Sequence, residues 1–205
     1  AIAPARVAHA FATVFTNRIA IGYMLAMALA MGGLFGFINS AQQVFVDVFD
    51  AELWFPAIFA MIAGFMVFAS LLNARIVGSV GTRRVSHTAL CGYIALAVIH
   101  ALVSVAGLDT LWSFAILQGC MMFCFGLMGP NFGAMAMEPL GHIAGTAASV
   151  QGFITTVGGA LIGFYIGQQF DGTVVPLTLG FAGCGCAALA VVFVTERGRL
   201  FRPTA

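Results

Sequence analysis

Long apolar runs, interrupted by short polar segments, make up most of the chain. These runs are about 20 residues long, the length at which an α-helix crosses the roughly 30 Å apolar core of a bilayer. None alternates apolar and polar residues as the strands of a membrane β-barrel do. The pattern therefore predicts an all-α, polytopic membrane protein with six transmembrane helices at 19–39, 55–72, 88–106, 111–130, 146–168 and 176–194.

Composition supports the same class of protein. Hydrophobic residues make up 61% of the chain and charged residues only 7%, whereas a soluble domain carries about a quarter charged residues. The formal net charge of +1 gives no basic surface for nucleic acid. We therefore expect the lipid bilayer to surround the protein, and we expect no nucleic acid partner.

The arginines predict how the helices are oriented. An even number of spans places both termini on one side, and every arginine falls in the loops of that side: Arg6, Arg18, Arg75, Arg83, Arg84, Arg197, Arg199 and Arg202. The charged residues of the opposite loops are all acidic, namely Asp47, Asp50, Glu52, Asp109 and Asp171. Positively charged loops mark the cytoplasmic face, so both termini are predicted to be cytoplasmic.

The segment GPNFGAMAMEPLGHIAGTAASVQGF, residues 129–153, concentrates polar and helix-breaking residues between the fourth and fifth spans. It raises the question of an active site. On the predicted cytoplasmic side, however, Pro130 and Pro139 can interrupt helices without leaving backbone groups unsatisfied in lipid. Glu138 and His142 are therefore interpreted as loop and helix-end residues without chemistry.

The remaining reactive residues do not form a catalytic or metal site. An intramembrane serine protease needs a serine and a histidine on facing helices, but the fourth span has only Ser113 at its edge and the sixth has no histidine. His100 is the one mid-membrane ionisable residue and has no acidic partner within its span, so we expect it to pack or hydrogen-bond. We expect no enzyme activity, no metal and no cofactor, and we interpret all cysteines as packing residues: Cys91, Cys120, Cys124, Cys184 and Cys186.

Glycines spaced four residues apart predict close helix packing. The fifth span carries Gly159, Gly163 and Gly167, and the first repeats the spacing with Gly32 and Gly36. Such stripes let helix backbones approach closely in lipid, where packing drives helix association. The fifth span is therefore expected to have a tightly packed partner helix.

Two segments carry a family resemblance. The loop NARIVGSVGTRR, residues 73–84, and the segment 129–153 resemble the C-terminal half of a major facilitator superfamily transporter, and more narrowly the Bcr/CflA branch of drug:proton antiporters. In that branch a helix ends in Pro-Asn and small residues, a Gly-His or similar pair follows, and AGTAS opens the next helix. The matching residues are Pro130-Asn131, Gly141-His142 and 144–149.

The resemblance covers essentially the whole chain, 1–205. It implies one six-helix half of a major facilitator fold, helices seven to twelve, in a bacterial inner membrane. The absent partner would be the N-terminal six-helix half, which would carry the proton-coupling acids, because none of the seven acids here lies mid-span. The fifth span would be helix eleven, which packs against helix two of that half. Substrates would be small amphipathic drugs, exchanged for protons.

The loop 73–84 is similar to the basic loop motif of the superfamily, through Asn73, Arg75, Gly81, Arg83 and Arg84. Gly78 stands where the family has an acidic residue. We therefore interpret this copy as a basic topological anchor in preference to a charge relay that gates transport.

Polar and aromatic residues that share helix faces are the substrate-cavity candidates. They are Phe35, Asn39 and Gln42 on the first span, Gln118, Met122 and Phe125 on the fourth, and Gln151 and Thr155 on the fifth. The alternative is that the amides hydrogen-bond between helices. At the level of the protein, the alternatives to a multidrug efflux antiporter are a sugar or metabolite facilitator and a non-transporting scaffold subunit.

Overall fold

The computed structural model describes residues 4–201, with side chains from residue 10 onward. The helices are α1 (Pro4–Thr16), α2 (Arg18–Gln42), α3 (Phe55–Val80), α4 (Thr82–Val105), α5 (Leu111–Met137), α6 (Ala144–Gln168) and α7 (Val175–Thr195). No strand occurs among these residues. The all-α prediction with six spanning helices is confirmed by α2 to α7. Helix α1 was not predicted, because it precedes the first long apolar run.

Helices α5 and α6 are two spans, although together with their connection they form one apolar helical stretch of 58 residues, Leu111–Gln168. As one straight helix that stretch would be about 87 Å long, several times the apolar thickness of a bilayer. A 3₁₀ helix, Glu138–Ile143, separates the two, and Leu140 inside it leaves helical geometry at φ −113° and ψ 16°. The chain turns back there, where Pro139 predicted an interruption. The same prediction is wrong for Pro130, which lies inside α5.

Side chains at the helix starts satisfy backbone groups that the helices themselves leave free. Asn17 accepts a hydrogen bond from the Ala20 amide at 3.0 Å at the start of α2. At the start of α5 the Ser113 amide donates to Thr110 Oγ1 at 3.1 Å, and the Thr110 amide donates to Ser113 Oγ at 2.8 Å. This reciprocal cap is the role of Ser113 at the edge of its span.

The core forms around α2, which packs against α5, α6 and α7, while α4 packs against α5 and α7 and α3 mainly against α5. Helix α2 continues as a π-helix, Gln43–Val48, so that Phe45 reaches Phe114 of α5 at a ring distance of 5.7 Å. By contrast, only 17% of the most apolar stretch of α3 is buried inside the bundle. Its outer face exposes large apolar side chains, among them Val67, Phe68 and Leu71, and is suited to lipid or to further helices.

One end of the bundle gathers the arginine-bearing loops, and we call it the basic end. There α2 and α4 begin and α3, α5 and α7 end. Gly81 is the single residue between α3 and α4. Its φ of +92° is a backbone conformation that favours glycine. The acidic loops lie at the opposite end. Arg6 and Arg202 lie outside the residues whose side chains are described, and the compartment that the basic end faces stays a prediction.

Candidate functional site

The glycine stripe of α6 lies directly against α2. A Cβ atom on Gly163 would lie 2.5 Å from Phe35 Cβ and 2.7 Å from the Gly36 nitrogen, and one on Gly159 would lie 2.7 Å from Met31 Cβ. These distances are far below ordinary carbon contacts of about 3.5–4.0 Å. The two backbones therefore touch along this line, which we call the α2–α6 seam.

The seam is reciprocal, because α2 also contributes glycines to it. A Cβ on Gly32 would lie 2.5 Å from Ile162 Cγ2, and one on Gly36 would lie 3.0 Å from Ile166 Cγ2. The prediction of a tight partner helix is confirmed. The expected identity of that partner, a helix of another half, is wrong for this stripe, because glycines on both helices pair α6 with α2 of the same chain. Spacing predicts close approach and carries no information on which helix approaches.

The candidates on α2 lie beside this seam. Phe35 is half-buried within it, and Gly167 of α6 faces Asn39, whose Cβ is 3.2 Å from the position that a glycine Cβ would take. The side chains of Asn39 and Gln42 are exposed. Two amides are therefore presented near the acidic-loop end of a mainly apolar helix.

The candidates on α5 lie inside the bundle. Gln118 is 0% exposed, Met122 2% and Phe125 7%. Neither the amide nitrogen nor the amide oxygen of Gln118 has a hydrogen-bond partner among the described residues. Asn39 and Gln118 therefore do not share a surface within this chain.

The candidates on α6 are half-buried near α5. A Cβ on Gly133 would lie 3.1 Å from Gln151 Nε2, and the Thr155 hydroxyl donates to the Gln151 carbonyl at 2.8 Å. Thr155 is thus satisfied by its own helix, whereas Gln151 Oε1 has no hydrogen-bond partner among the described residues.

The residues of the loop motif separate into exposed and buried members. Arg75 and Arg84 are exposed. Asn73 is buried and accepts a hydrogen bond from Asn131 Nδ2 at 2.8 Å, and the same Asn131 nitrogen donates to the Leu127 carbonyl at 2.7 Å. The Pro-Asn pair and the start of the loop motif therefore meet in space, where they join α5 to α3.

Arg83 belongs to a buried network at the basic end, which we call the Glu196 network (Tyr23, Arg83, His87 and Glu196). Arg83 Nε donates to Glu196 Oε1 at 3.0 Å, the Tyr23 hydroxyl donates to the same oxygen at 2.6 Å, and His87 Nε2 lies 2.9 Å from the Tyr23 hydroxyl. Arg83 is 8% exposed and His87 1%. Arg83 therefore does more than mark one side of the membrane: it joins the start of α4 to the end of α7.

Sequence reasoning missed three of these four residues, since they are up to 173 residues apart in the chain. The only sequence signal is an acid placed directly after an apolar span, at Glu196. Glu138, whose side chain is 51% exposed, lies 3.6 Å from Arg83 Nη1. It lines a cavity of about 390 Å³ between the α3–α4 turn and the end of α5. His142 is exposed.

At the opposite end, His100 approaches an acid that follows its span. His100 Nε2 lies 4.0 Å from Asp109 Oδ1, and its ring packs on Phe114 at 5.0 Å. Burial raises the pKa of the Asp109 carboxyl. Within the described residues, no three histidine, cysteine or acidic side chains are grouped so that they could hold a metal ion.

Comparison with known proteins supports the resemblance. The chain is 28% identical over 193 residues to a bicyclomycin resistance protein homolog of Haemophilus influenzae, covering 93% of this chain and 48% of that protein. It is 25% identical over 168 residues to the MFS-type transporter YdgK of Bacillus subtilis, covering 78% of this chain and 40% of that protein. No family model matches the chain, and no solved structure matches it.

The chain thus spans about half the length of the curated relatives it matches. Together with the helices, this confirms the recognised resemblance to a six-helix half of a major facilitator fold of the Bcr/CflA type. The same observations support the prediction that the chain is a multi-pass membrane protein of the transport class.

Proposed function

We propose that this chain is the C-terminal half of a proton-coupled efflux antiporter for small amphipathic drugs. The observation that carries the proposal is similarity along 93% of the chain to a bicyclomycin resistance protein homolog, of which it covers 48%. The other half, with the proton-coupling acids, would come from the remainder of such a protein. The bacterial inner membrane, with the basic end in the cytoplasm, is part of the proposal.

The outer faces of the bundle support a second, six-helix partner. Helix α3 is mostly unburied, and α6 exposes Phe153, Leu161 and Phe164, although its other side is tightly packed on α2. A single half would leave such faces to lipid alone. In two-half transporters the substrate site lies between the halves, so these faces are the ones we assign to the contact.

Asn39 and Gln42 are the best-supported cavity residues. An exposed amide that faces lipid has no hydrogen-bond partner there and costs free energy. An aqueous cavity between two halves removes that cost and gives the amides a role in binding. Gln118, Met122 and Phe125, in contrast, can contact substrate only if α5 turns or opens, and we propose that in this state they form the inner wall behind the cavity.

The test is drug export by the full-length gene product that carries this chain, in cells that lack other efflux pumps. Asn39→Ala should change resistance unevenly among chemically distinct drugs, because a lost hydrogen bond to a substrate costs about 0.5–1.5 kcal/mol and hence roughly twofold to tenfold in affinity. Gln118→Ala is the matched control for an amide buried within the bundle, and its effect should be uniform and follow protein abundance.

Proton coupling is tested in vesicles by export that requires an inward proton gradient. Export that persists without the gradient would contradict antiport. If Asn39→Ala lowers resistance to every drug in proportion to the abundance of the transporter, Asn39 does not line the substrate cavity. If no drug is exported at all, a metabolite facilitator or a scaffold subunit becomes the better assignment.

A further inference from the structure

The segment that follows α7, residues 196–201, folds back onto the start of α4. The Gly198 amide donates to the Phe193 carbonyl at 2.9 Å, which ends the helix, and Gly198 takes φ +74°. The reversal brings the Phe201 amide to His87 Nδ1, with a donor–acceptor distance of 3.1 Å. The Phe201 ring also packs edge-on against the His87 ring at 5.7 Å. We call residues 196–201 the C-terminal turn.

These contacts determine where the proton of His87 resides. A backbone amide only donates, so Nδ1 must be the unprotonated, accepting nitrogen. A neutral imidazole then carries its hydrogen on Nε2, which donates to the Tyr23 hydroxyl oxygen at 2.9 Å. The single hydroxyl hydrogen of Tyr23 is consequently free to donate to Glu196 Oε1 at 2.6 Å. Each donor has one acceptor, and only the neutral Nε2–H form of His87 satisfies the whole series.

A second proton on His87 would have to bind at Nδ1, and it would displace the Phe201 amide from its acceptor. The imidazolium would also be buried at 1% exposure, one helical turn from the Arg83 guanidinium. The Glu196 carboxylate partly offsets this cost, but it already accepts from Arg83 Nε at 3.0 Å and from Tyr23.

The C-terminal turn also carries Arg197 and Arg199, whose side chains are exposed. Phe132 of α5 packs on Tyr23 at a ring distance of 5.4 Å, and Glu138 lies 3.6 Å from Arg83. Phe201 is 40% exposed, so its amide can exchange His87 for water at little cost when the turn leaves. Release of the turn also gives the imidazolium access to water, which favours the released state once His87 is protonated.

We propose that His87 is a proton-binding site that holds the C-terminal turn on α4 when neutral and releases it when protonated. The site lies at the basic end, so in the predicted orientation its ligand is a cytoplasmic proton. This site does not depend on the proposed drug efflux, because its contacts are all within this chain.

The test places a nitroxide spin label on the turn and follows its mobility by EPR between about pH 8 and about pH 4, a range that extends below the ordinary charge change of histidine because the imidazolium would be buried. Arg199 is exposed, so Arg199→Cys is the labelling site, in a background whose native cysteines are replaced. The purified protein in detergent is sufficient. We expect an immobile label at the upper pH, and a ratio of released to docked turn that rises up to tenfold per pH unit as one proton binds.

Substitutions at His87 separate docking from titration. His87→Asn keeps a carbonyl oxygen near the position of Nδ1 and removes the titrating group, so the label should stay immobile at both pH values. His87→Ala should free it at both. His142→Asn is the matched control, because His142 is exposed at the same end of the bundle, and it should keep the pH response of the labelled protein that retains both histidines.

Two results would overturn the proposal. One is equal label mobility at both pH values in the labelled protein that retains His87. The other is an unchanged pH response in His87→Asn, which would assign the titration to another group.

Discussion

Gly163→Ala tests the α2–α6 seam, where the backbones of two helices approach each other closely. The added methyl carbon would meet Phe35 Cβ at 2.5 Å and the Gly36 nitrogen at 2.7 Å. These neighbours are a Cβ and a backbone atom, so no side-chain rotation can relieve the contact. Helix α6 must move away from α2 by about 1 Å to restore ordinary carbon contacts, and the packing at Gly159 and Gly167 loosens with it.

The expected change in the free energy of unfolding of Gly163→Ala is the difference between two opposing contributions. Overpacking costs about 1–3 kcal/mol, and the backbone contact places Gly163→Ala near 3 kcal/mol by the same rule. Alanine recovers about 1 kcal/mol of helix propensity. The net loss of about 2 kcal/mol corresponds to a Tm lower by roughly 4–8 °C for a chain of this size.

Gly152→Ala is the matched control on the same helix. No atom lies within 4 Å of the position of its Cβ, so only the gain in helix propensity remains, and Tm should rise by roughly 2–4 °C. The measurement is thermal unfolding of both variants in the same detergent. A Gly163→Ala protein that melts at or above the unsubstituted protein would show that the seam is not closely packed.

Three further outcomes follow from the structure. Asn131→Ala removes the donor to buried Asn73 and should cost about 1–3 kcal/mol of stability, and an unchanged denaturation midpoint would contradict the hydrogen bond at 2.8 Å. In a cysteine-free background, Asp50→Cys should react with an impermeant thiol reagent in intact cells and Arg84→Cys only after the membrane is opened; labelling of both in intact cells would refute the orientation. Burial raises the pKa of Asp109 in the folded protein, so folding favours the neutral carboxyl. The resulting stabilisation is fully present below the unfolded pKa of about 3.9, and it is lost as the pH rises through the folded pKa. Asp109→Asn should therefore raise Tm at about pH 7 and leave it unchanged at about pH 3, and an equal change at both would contradict this.

The spanning helices could be predicted from the sequence because their cause is local. Twenty apolar residues form a membrane helix with little regard to what surrounds them. The extensions beyond the predicted ends have a tertiary cause: α3 was predicted to end at 72 and reaches Val80, where Asn73 is held by Asn131. Apolarity alone cannot reveal that a polar residue continues a helix because a partner satisfies it.

The candidate site could be predicted only in part, for a reason of geometry. The spacing of Gln118, Met122 and Phe125 places them on one face of α5, but α5 is apolar on all sides, so the sequence cannot show that this face points inward. The Glu196 network joins Arg83 and His87 of α4 to Tyr23 of α2 and Glu196 of the C-terminal turn, and no sequence spacing connects these three elements. Its members come together only through the order in which the helices pack.

The central position of α2 has a consequence for how the protein is made. Helix α2 is synthesised before the other spans of this sequence, yet Ile162, which packs at Gly32, is 130 residues further along the chain. At about 5–20 residues per second, synthesis takes on the order of 10 s to reach it. During that interval the glycine face of α2 lies against lipid or the insertion machinery, with none of its final neighbours. A nascent chain that stops before α6 would present an unpaired glycine groove to the bilayer, without the isoleucine side chains of α6 that pack there in the complete bundle.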